Sequence, residues 1–419
     1  MKLIFLFFSF LFITIIGRAQ WVDETNFGQV ISDLHSFNNE LHIVGGFTSR
    51  NGGTCYWSTY YDGSNFVNQT SMLGGTGLNR LEVFNSELYA TGALNIAGTM
   101  GVYKWSGASW NSAASLSSSH TGIYADANDL YVGSDFGVIS KKTGTGGFSS
   151  LPLLDNTNDD VRAINKFNGE IIIAGQINTY NAVALNKIAR FDGVAWQPLG
   201  AGLNGSARCL AVYNSELYVG GDFSTAGGQP AKYIAKWNGS TWSSVGGSMT
   251  GTGYNGIRDM VVYNNKLYVV GDFTAMGGVT TKYVAMWNGS SWTSIDMSIS
   301  SSFANCVEVY NNRLYVGTFN FTDSHLYSID MNTIGIDDNT KNNTIKFFPN
   351  PNNGKFNVEI DNNQANSLIE VYNIIGNLVF IQNSDDIKTT IDIKDQPQGI
   401  YLVKITVDNQ VFNEKVIKN

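Results

Sequence analysis

Apolar and polar residues alternate in short runs broken by Asn, Asp and Gly, the pattern of half-buried β-strands joined by tight turns. One such hairpin recurs along the chain: FNNELHIVGGF from Phe37, FNSELYATGAL from Phe84, DANDLYVGSDF from Asp126 and FNGEIIIAGQI from Phe167. It continues as YNSELYVGGDF from Tyr213, YNNKLYVVGDF from Tyr263 and YNNRLYVGTFN from Tyr310. The anchors Leu41, Leu88, Leu130, Ile171, Leu217, Leu267 and Leu314 lie 47, 42, 41, 46, 50 and 47 residues apart, room for about four strands per unit. A second signature, an aromatic pair spaced by Asn-Gly or Asp-Gly, reads YDGSNF from Tyr61, FDGVAW from Phe191, WNGSTW from Trp237 and WNGSSW from Trp287, with a Ser variant WSGASW from Trp105. Asn-Gly and Asp-Gly tolerate positive φ and specify two-residue hairpins. Each unit is therefore expected to be a four-stranded meander, and a ring of meanders is a β-propeller.

The second aromatic of each signature precedes the next anchor by a nearly constant interval: Phe66 to Leu88 is 22 residues, Trp196 to Leu217 is 21, and Trp21 precedes Leu41 by 20. The last unit, through HLYSIDMN from His325, has no second aromatic of its own. The strand at Trp21 is thus expected to supply the outer strand of the seventh blade and close the ring. One aromatic per unit, Trp21, Phe66, Trp110, Phe148, Trp196, Trp242 and Trp292, stands at a fixed register, and packing between blades accounts for them better than a ligand-stacking series. The stretch LGAGLNGSARCLAVYNSELYVGGDFSTAGGQPAKYIAKWNGSTW from Leu199 resembles kelch-like propellers and, more closely, the propeller of fungal cortical marker proteins, over roughly residues 21 to 333. That resemblance implies a fold and little about activity.

After Asp330 the aromatic-Gly rhythm stops, and residues 334–342 read as a polar linker. Residues 343–419 alternate again over short strands, as expected of a small Ig-like β-sandwich. Pro349, Asn350 and Pro351, the turn at Gly354, the hairpin at Gly376, Gly399 and Tyr401, and the basic tail with Lys415 and Lys418 occur in that order at the C-terminus. Together they resemble the type A C-terminal sorting domain of the type IX secretion system of Bacteroidota. The resemblance implies type IX secretion machinery as a partner, passage through the outer membrane, and an extracellular or outer-membrane surface destination.

The N-terminus fits that route. Residues 1–19 carry Lys2, an apolar stretch from Leu3 to Ile16 and then Gly17, Arg18 and Ala19, the layout of a signal peptide cleaved after Ala19. The apolar core is shorter than the ~18 residues of a membrane span, so no transmembrane segment is expected in the mature chain. The expected domains are a signal peptide at 1–19, a seven-bladed β-propeller at 20–333, a linker at 334–342 and the sorting domain at 343–419.

Composition narrows the function classes. Charged residues are 14%, aromatics 13%, and 45 residues are Gly, a turn-rich all-β profile that excludes a disordered or coiled-coil chain. A net charge of -8 with no run of Lys or Arg excludes a nucleic-acid partner. The odd set Cys55, Cys209 and Cys306 reads as buried apolar side chains, since equivalent places two units apart exceed the ~7 Å that a disulfide tolerates.

Candidate chemistry is sparse. His35 and His42 are expected to be cross-strand partners within metal-bridging reach, but sister units place Tyr218 and Tyr268 at the His42 position, which favours packing. Asp135, Asp222 and Asp272 precede Phe in three second strands and are expected to bond turn backbone. Asp155, Thr157 and Asp159 faintly resemble a calcium loop but lack its Gly and distal Glu. No cofactor, metal ligand or catalytic residue is therefore assigned. The expected role is a non-enzymatic binding or adhesion module for an extracellular glycan or protein, using loops such as STAGGQPAK from Ser224 and TAMGGVTTK from Thr274. The alternative is a polysaccharide-acting glycosidase or lyase using Asp222 and Asp272.

Overall fold

A computed structural model describes residues 20–68, 75–96, 99–116, 120–156, 158–247, 249–251, 256–297, 299, 303–334, 345–360, 367–384, 386–407 and 410–419. The expected signal peptide with its cleavage point at Ala19, Thr157, and residues 335–342 of the expected linker lie outside them. The chain divides into two compact units, Met1–Gly335 and Ile336–Asn419.

The first unit is built from four-stranded antiparallel meanders. Ile31–Phe37, Glu40–Gly45, Ser58–Tyr61 and Phe66–Asn68 form one sheet, and Gly75–Phe84, Glu87–Ile96, Thr99–Trp105 and Trp110–Ser115 the next. Then follow the sheets opened by His120–Ala125, Val161–Phe167, Ala207–Tyr213 and Ile257–Tyr263. In the last sheet Phe303–Tyr310, Arg313–Phe319 and Ser324–Asp330 are joined by Val22–Phe27 from the start of the unit, with Val22 opposite Ser328 and Phe27 opposite Ser324. The opening strand of each sheet lies against the opening strand of the next, and Phe303–Tyr310 returns to Ile31–Phe37. That closed ring of meanders is a β-propeller.

Local chemistry explains the strands and their turns. In the inner hairpins other than that at Ala127 and Asn128 both turn residues adopt positive φ, as at Asn38 and Asn39 (49° and 60°) and Asn214 and Ser215 (49° and 60°), the geometry Asn tolerates best. In the outer hairpins the Asn or Asp carboxyl-type oxygen accepts two backbone N–H groups: Asn238 Oδ1 from Ser240 and Thr241, both at 2.9 Å, and Asp192 Oδ1 from Val194 at 2.9 Å and Ala195 at 2.8 Å. Such a turn sets the flanking aromatics opposite each other, Trp105 with Trp110, Trp237 with Trp242 and Trp287 with Trp292, at ring-centroid distances of 5.3, 5.2 and 5.1 Å.

The apolar core lies between neighbouring sheets rather than on an axis. One cluster joins Cys209, Tyr213 and Tyr218 to Ile257, Leu267 and Phe273 of the next sheet; another joins Cys306, Tyr315, Leu326 and Phe27 to Ile31, Leu34 and Leu41 across the closure. Ile334, placed by the sequence at the head of the linker, is buried in the cluster with Leu314, Val316 and Ile329.

The second unit has two antiparallel sheets, Ile345–Phe348, Lys355–Ile360 and Lys388–Asp392 in one, and Leu378–Ser384, Ser367–Asn373, Gly399–Val407 and Gln410–Lys418 in the other. Phe356, Val358, Ile369, Val371, Ile391, Tyr401, Val403 and Val416 form its core.

Candidate binding site

Antiparallel order puts the start of each opening strand, the end of the second strand and the connection between strands two and three at one mouth of the ring. Among the described residues four of these connections carry an added two-residue-per-arm hairpin: Ser49–Arg50 with Gly53–Thr54, Thr179–Tyr180 with Val183–Ala184, Thr225–Ala226 with Gln229–Pro230, and Ala275–Met276 with Val279–Thr280. Both loops named from the sequence are of this kind. They are pinned to the ring: Asn204 Oδ1 accepts the Ser224 and Thr225 N–H groups at 2.8 and 2.9 Å. Gly227 and Gly277 (φ 59° and 57°) lie so close to Trp242 and Trp292 that a Cβ would come within 2.9 and 2.5 Å of the indoles. Asp155 is used the same way, its two carboxylate oxygens accepting Asn181 and Ala182 N–H at 2.8 Å, which occupies the first residue of the supposed calcium loop.

The ring surrounds a polar channel of about 210 Å³. Successive opening strands contribute Leu34, Leu81, Ile123, Ile164, Leu210, Met260 and Val307 as an apolar girdle. Beside it Arg80 pairs with Asp33 at 3.4 Å, while Asp33 Oδ2 accepts Leu81 N–H at 2.7 Å and Asp259 Oδ2 accepts Val307 N–H at 3.0 Å. These carboxylates each bind the backbone of the following sheet. Burial would lower the Arg80 pKa, but the Asp33 and Asp259 charges outweigh it and hold the guanidinium charged; burial raises Asp259 to about 6. On the other side of the girdle burial raises Glu82 to about 7 and Glu308 to about 8 and lowers His35 to about 4.

At the hairpin-bearing mouth three successive sheets place arginine at one register: Arg162, Arg208 and Arg258. Arg162 Nε donates to Asp160 at 2.6 Å and its Nη1 to Ser206 Oγ at 2.9 Å. Arg208 grips Asp222 with Nε at 3.1 Å and Nη2 at 2.9 Å. Arg258 differs. Its Nη1 donates to Asn305 Oδ1 at 3.1 Å, its guanidinium lies 4.5 Å over the Phe303 ring and 5.2 Å from that of Phe319, and its buried Nε has no acceptor. No carboxylate lies within ion-pair distance of it among the described residues. Burial and the neighbouring Arg208 charge hold its pKa down to about 10.

The sequence candidates are placed as follows. Asp222 is bound to Arg208 rather than to turn backbone, which corrects that expectation; Asp272 is 6% exposed; Asp135 has a buried oxygen without a partner. His35 and His42 are cross-strand partners, but His42 is packed among Phe37, Tyr60 and Trp105 with its Nε2 3.1 Å from Glu40, while His35 lines the channel. Cys55, Cys209 and Cys306 are free and buried. Trp196 is 1% exposed and donates to Pro152 O at 2.8 Å; Trp110, Trp242 and Trp292 donate to Ser58 Oγ, Leu199 O and Val245 O at 3.1, 2.9 and 3.2 Å, each in the preceding sheet or its exit. Trp21 reaches Asp296 O at 3.1 Å. Phe66 and Phe148 are half-buried, and Arg50 lies 4.9 Å over the Phe66 ring.

In the second unit Asn350 Oδ1 accepts Ile417 N–H at 2.8 Å and its Nδ2 donates to Lys415 O at 2.8 Å, so the Pro349-Asn350-Pro351 segment clasps the last strand. Lys418 is 8% exposed, its Nζ donating to the carbonyls of Ile393 (3.2 Å), Lys394 (2.6 Å) and Gln396. Gly354 (φ 95°) lies against Lys394 and Lys418 with no room for a Cβ. Lys418, in the basic tail, is thus an internal cap. Gly376 (φ 85°) turns the hairpin between Ser367–Asn373 and Leu378–Ser384, Gly399 opens the strand that carries Tyr401, and Tyr401 Oη donates to Pro397 O at 2.6 Å.

No helix among the described residues is long and apolar enough to cross a membrane. No curated protein matches the chain. Among solved structures, the computationally designed Ika8 protein is 14% identical with a TM-score of 0.48, covering 74% of this chain and 100% of its own. The WD40 β-propeller domain of Doa1 is 11% identical with a TM-score of 0.49, covering 76% and 99%. Residues 346–419 match the secretion system C-terminal sorting domain, which gives the chain a type IX sorting tail and a destination at the cell surface or in the extracellular space.

Proposed function

We propose that the chain is a Bacteroidota surface or secreted protein whose kelch-like, seven-bladed propeller binds an extracellular ligand without transforming it, after entry through a signal peptide cleaved at Ala19 and passage directed by an Ig-like sorting module. The hairpin-bearing mouth is the binding face. The observation that carries this reading is the fate of the two carboxylates offered for glycoside chemistry: Asp222 is held by a two-point Arg208 contact that it would have to leave to transfer a proton, and Asp272 is buried. The aromatics Trp21, Phe66, Trp110, Phe148, Trp196, Trp242 and Trp292 serve blade packing in this reading, leaving ligand contact to the loops. A panel of extracellular polysaccharides offered to the mature chain tests it. Binding of one class, seen as a raised unfolding midpoint with no new reducing ends or unsaturated products, is expected. Turnover abolished by paired Asp222→Asn and Asp272→Asn changes would establish the enzyme instead.

A further inference from the structure

Buried polar atoms in native proteins are nearly always paired, and an unpaired guanidinium nitrogen is costly because that charge has left water without compensation. Arg162, Arg208 and Arg258 make the comparison internal. They occupy one register on three adjacent opening strands, so the backbone presents them alike. Arg162 has Asp160, and Arg208 has Asp222. At the place of Asp160 the Arg258 sheet has Gly256, which removes the carboxylate two residues before the arginine.

What lies against Arg258 is aromatic, while Asp272 at the Asp222 place, and Asp222 itself, act on it only from beyond ion-pair distance. Phe303 and Phe319 are cross-strand partners with rings stacked 5.1 Å apart at 9°, and the guanidinium lies over them. Phe321 abuts Phe319 edge-on at 5.1 Å and is 79% exposed. Asn305 fixes one end of the guanidinium and is itself fixed by donating to Ile31 O at 2.8 Å. The arginine is held flat and oriented, with Nε buried and Nη1 on Asn305, which leaves Nη2 to meet a ligand. A guanidinium edge held in this way suits an oxyanion, and an adjoining exposed aromatic face suits the C–H face of a pyranose ring.

From this geometry we infer that Arg258, with Phe321 beside it, forms a subsite for an acidic sugar residue, its guanidinium taking a carboxylate or sulfate oxyanion and Phe321 the ring. The inference rests on the binding role proposed above and gives that role a ligand class. An acidic peptide would satisfy the charge but makes no use of the exposed ring in the same way.

The test uses the full mature chain and calorimetric titration with four probes: oligogalacturonate for the carboxylate source, a sulfated galactan oligomer for the sulfate source, a neutral β-glucan oligomer, and oligoglutamate. Binding of one acidic oligosaccharide is expected, weakened about tenfold or more by Arg258→Gln, since a charge-assisted pair is lost. Arg258→Lys should recover only part, because an ammonium cannot stack on the Phe303 ring while also holding Asn305 and the anion. Phe321→Ala, at an exposed position, should weaken binding with the unfolding midpoint unchanged, which keeps the test decisive if the Arg258 variants fold poorly. Equal binding of oligoglutamate would overturn the sugar assignment, and indifference of acidic binding to both variants would overturn the subsite. Binding of the neutral oligomer alone would sink the subsite while leaving a binding module standing; turnover of any probe would sink the binding reading itself.

Discussion

A carboxyl group facing a narrow channel loses hydration it cannot replace, so burial raises Glu308 to about 8 from the ordinary glutamate value, and Glu82 to about 7. A raised carboxyl pKa means the folded chain holds a proton that the unfolded chain has released, so folded stability falls as pH climbs from the ordinary glutamate range toward 8. Below pH 6.5 the half-buried His35 and the buried His42, both lowered to about 4 chiefly by loss of hydration, work in the other direction, since the unfolded chain takes up protons that the folded chain refuses. The clean window is therefore pH 6.5 to 8. There the unfolding free energy should decline, and Glu308→Gln should flatten that decline by roughly 1–2 kcal/mol, read from denaturant midpoints across the interval. His35 was visible in the sequence as a candidate, but Glu82 and Glu308 were not. Channel residues come from one short stretch of each sheet, in remote parts of the chain, and a register shift near the start of each opening strand, between Ile31 and Asp33 or Ala207 and Cys209, moves the alternation by one place.

At the scale of the hairpin, the ring is held by indole groups that reach from one sheet to its neighbour. Trp196 combines near-complete burial with a hydrogen bond to the Pro152 carbonyl, so Trp196→Ala opens a large void and leaves that oxygen unpaired. Equilibrium unfolding should register a loss of about 3–5 kcal/mol, against a smaller loss for Phe148→Ala at the half-buried equivalent place. These hairpins were the most legible part of the sequence because their signal is local: Asn or Asp, Gly, and two aromatics at fixed spacing. A repeated ion pair went unread. Lys104 with Glu87, Lys141 with Asp129, Arg190 with Glu170 and Lys236 with Glu216 join the second strand to the third at 3.0, 2.9, 2.5 and 2.7 Å. Their spacing of 12 to 20 residues varies with the intervening loop, which hides the pairing from any fixed-period search. The arginine triplet was equally hidden, since each member looks like an ordinary strand residue until the sheets stand side by side.

For the whole molecule, the two units answer different questions. The C-terminal unit was readable as a sorting module from Pro349 to Lys418, yet the structural meaning of its residues was not: the sequence suggested a basic tail, whereas three backbone carbonyls receive Lys418. Those pieces meet only because the last strand returns beside the first segment of the unit. Deletion of residues 343–419 should leave the propeller in the periplasm, and fractionation of expressing cells would find it there; the truncated protein at the surface in normal amount would remove the sorting assignment. The ligand class proposed for the first unit was beyond sequence reading because the loops given that role vary between blades, while the pattern that repeats belongs to the frame.

The pairing of Val22 with Ser328 also sets an order of events. The strand that leaves the ribosome first among those of the ring is the one whose partner is made last, and until that partner arrives both Val22–Phe27 and Ser324–Asp330 present raw edges. Contacts that join the far ends of a chain form late, because a long loop has to close before they return any free energy. The clasp thus acts as a completion signal: a chain interrupted anywhere before Ser324 leaves Val22–Phe27 without its partner strand, whereas an intact one covers both edges in a single step, after everything between has emerged.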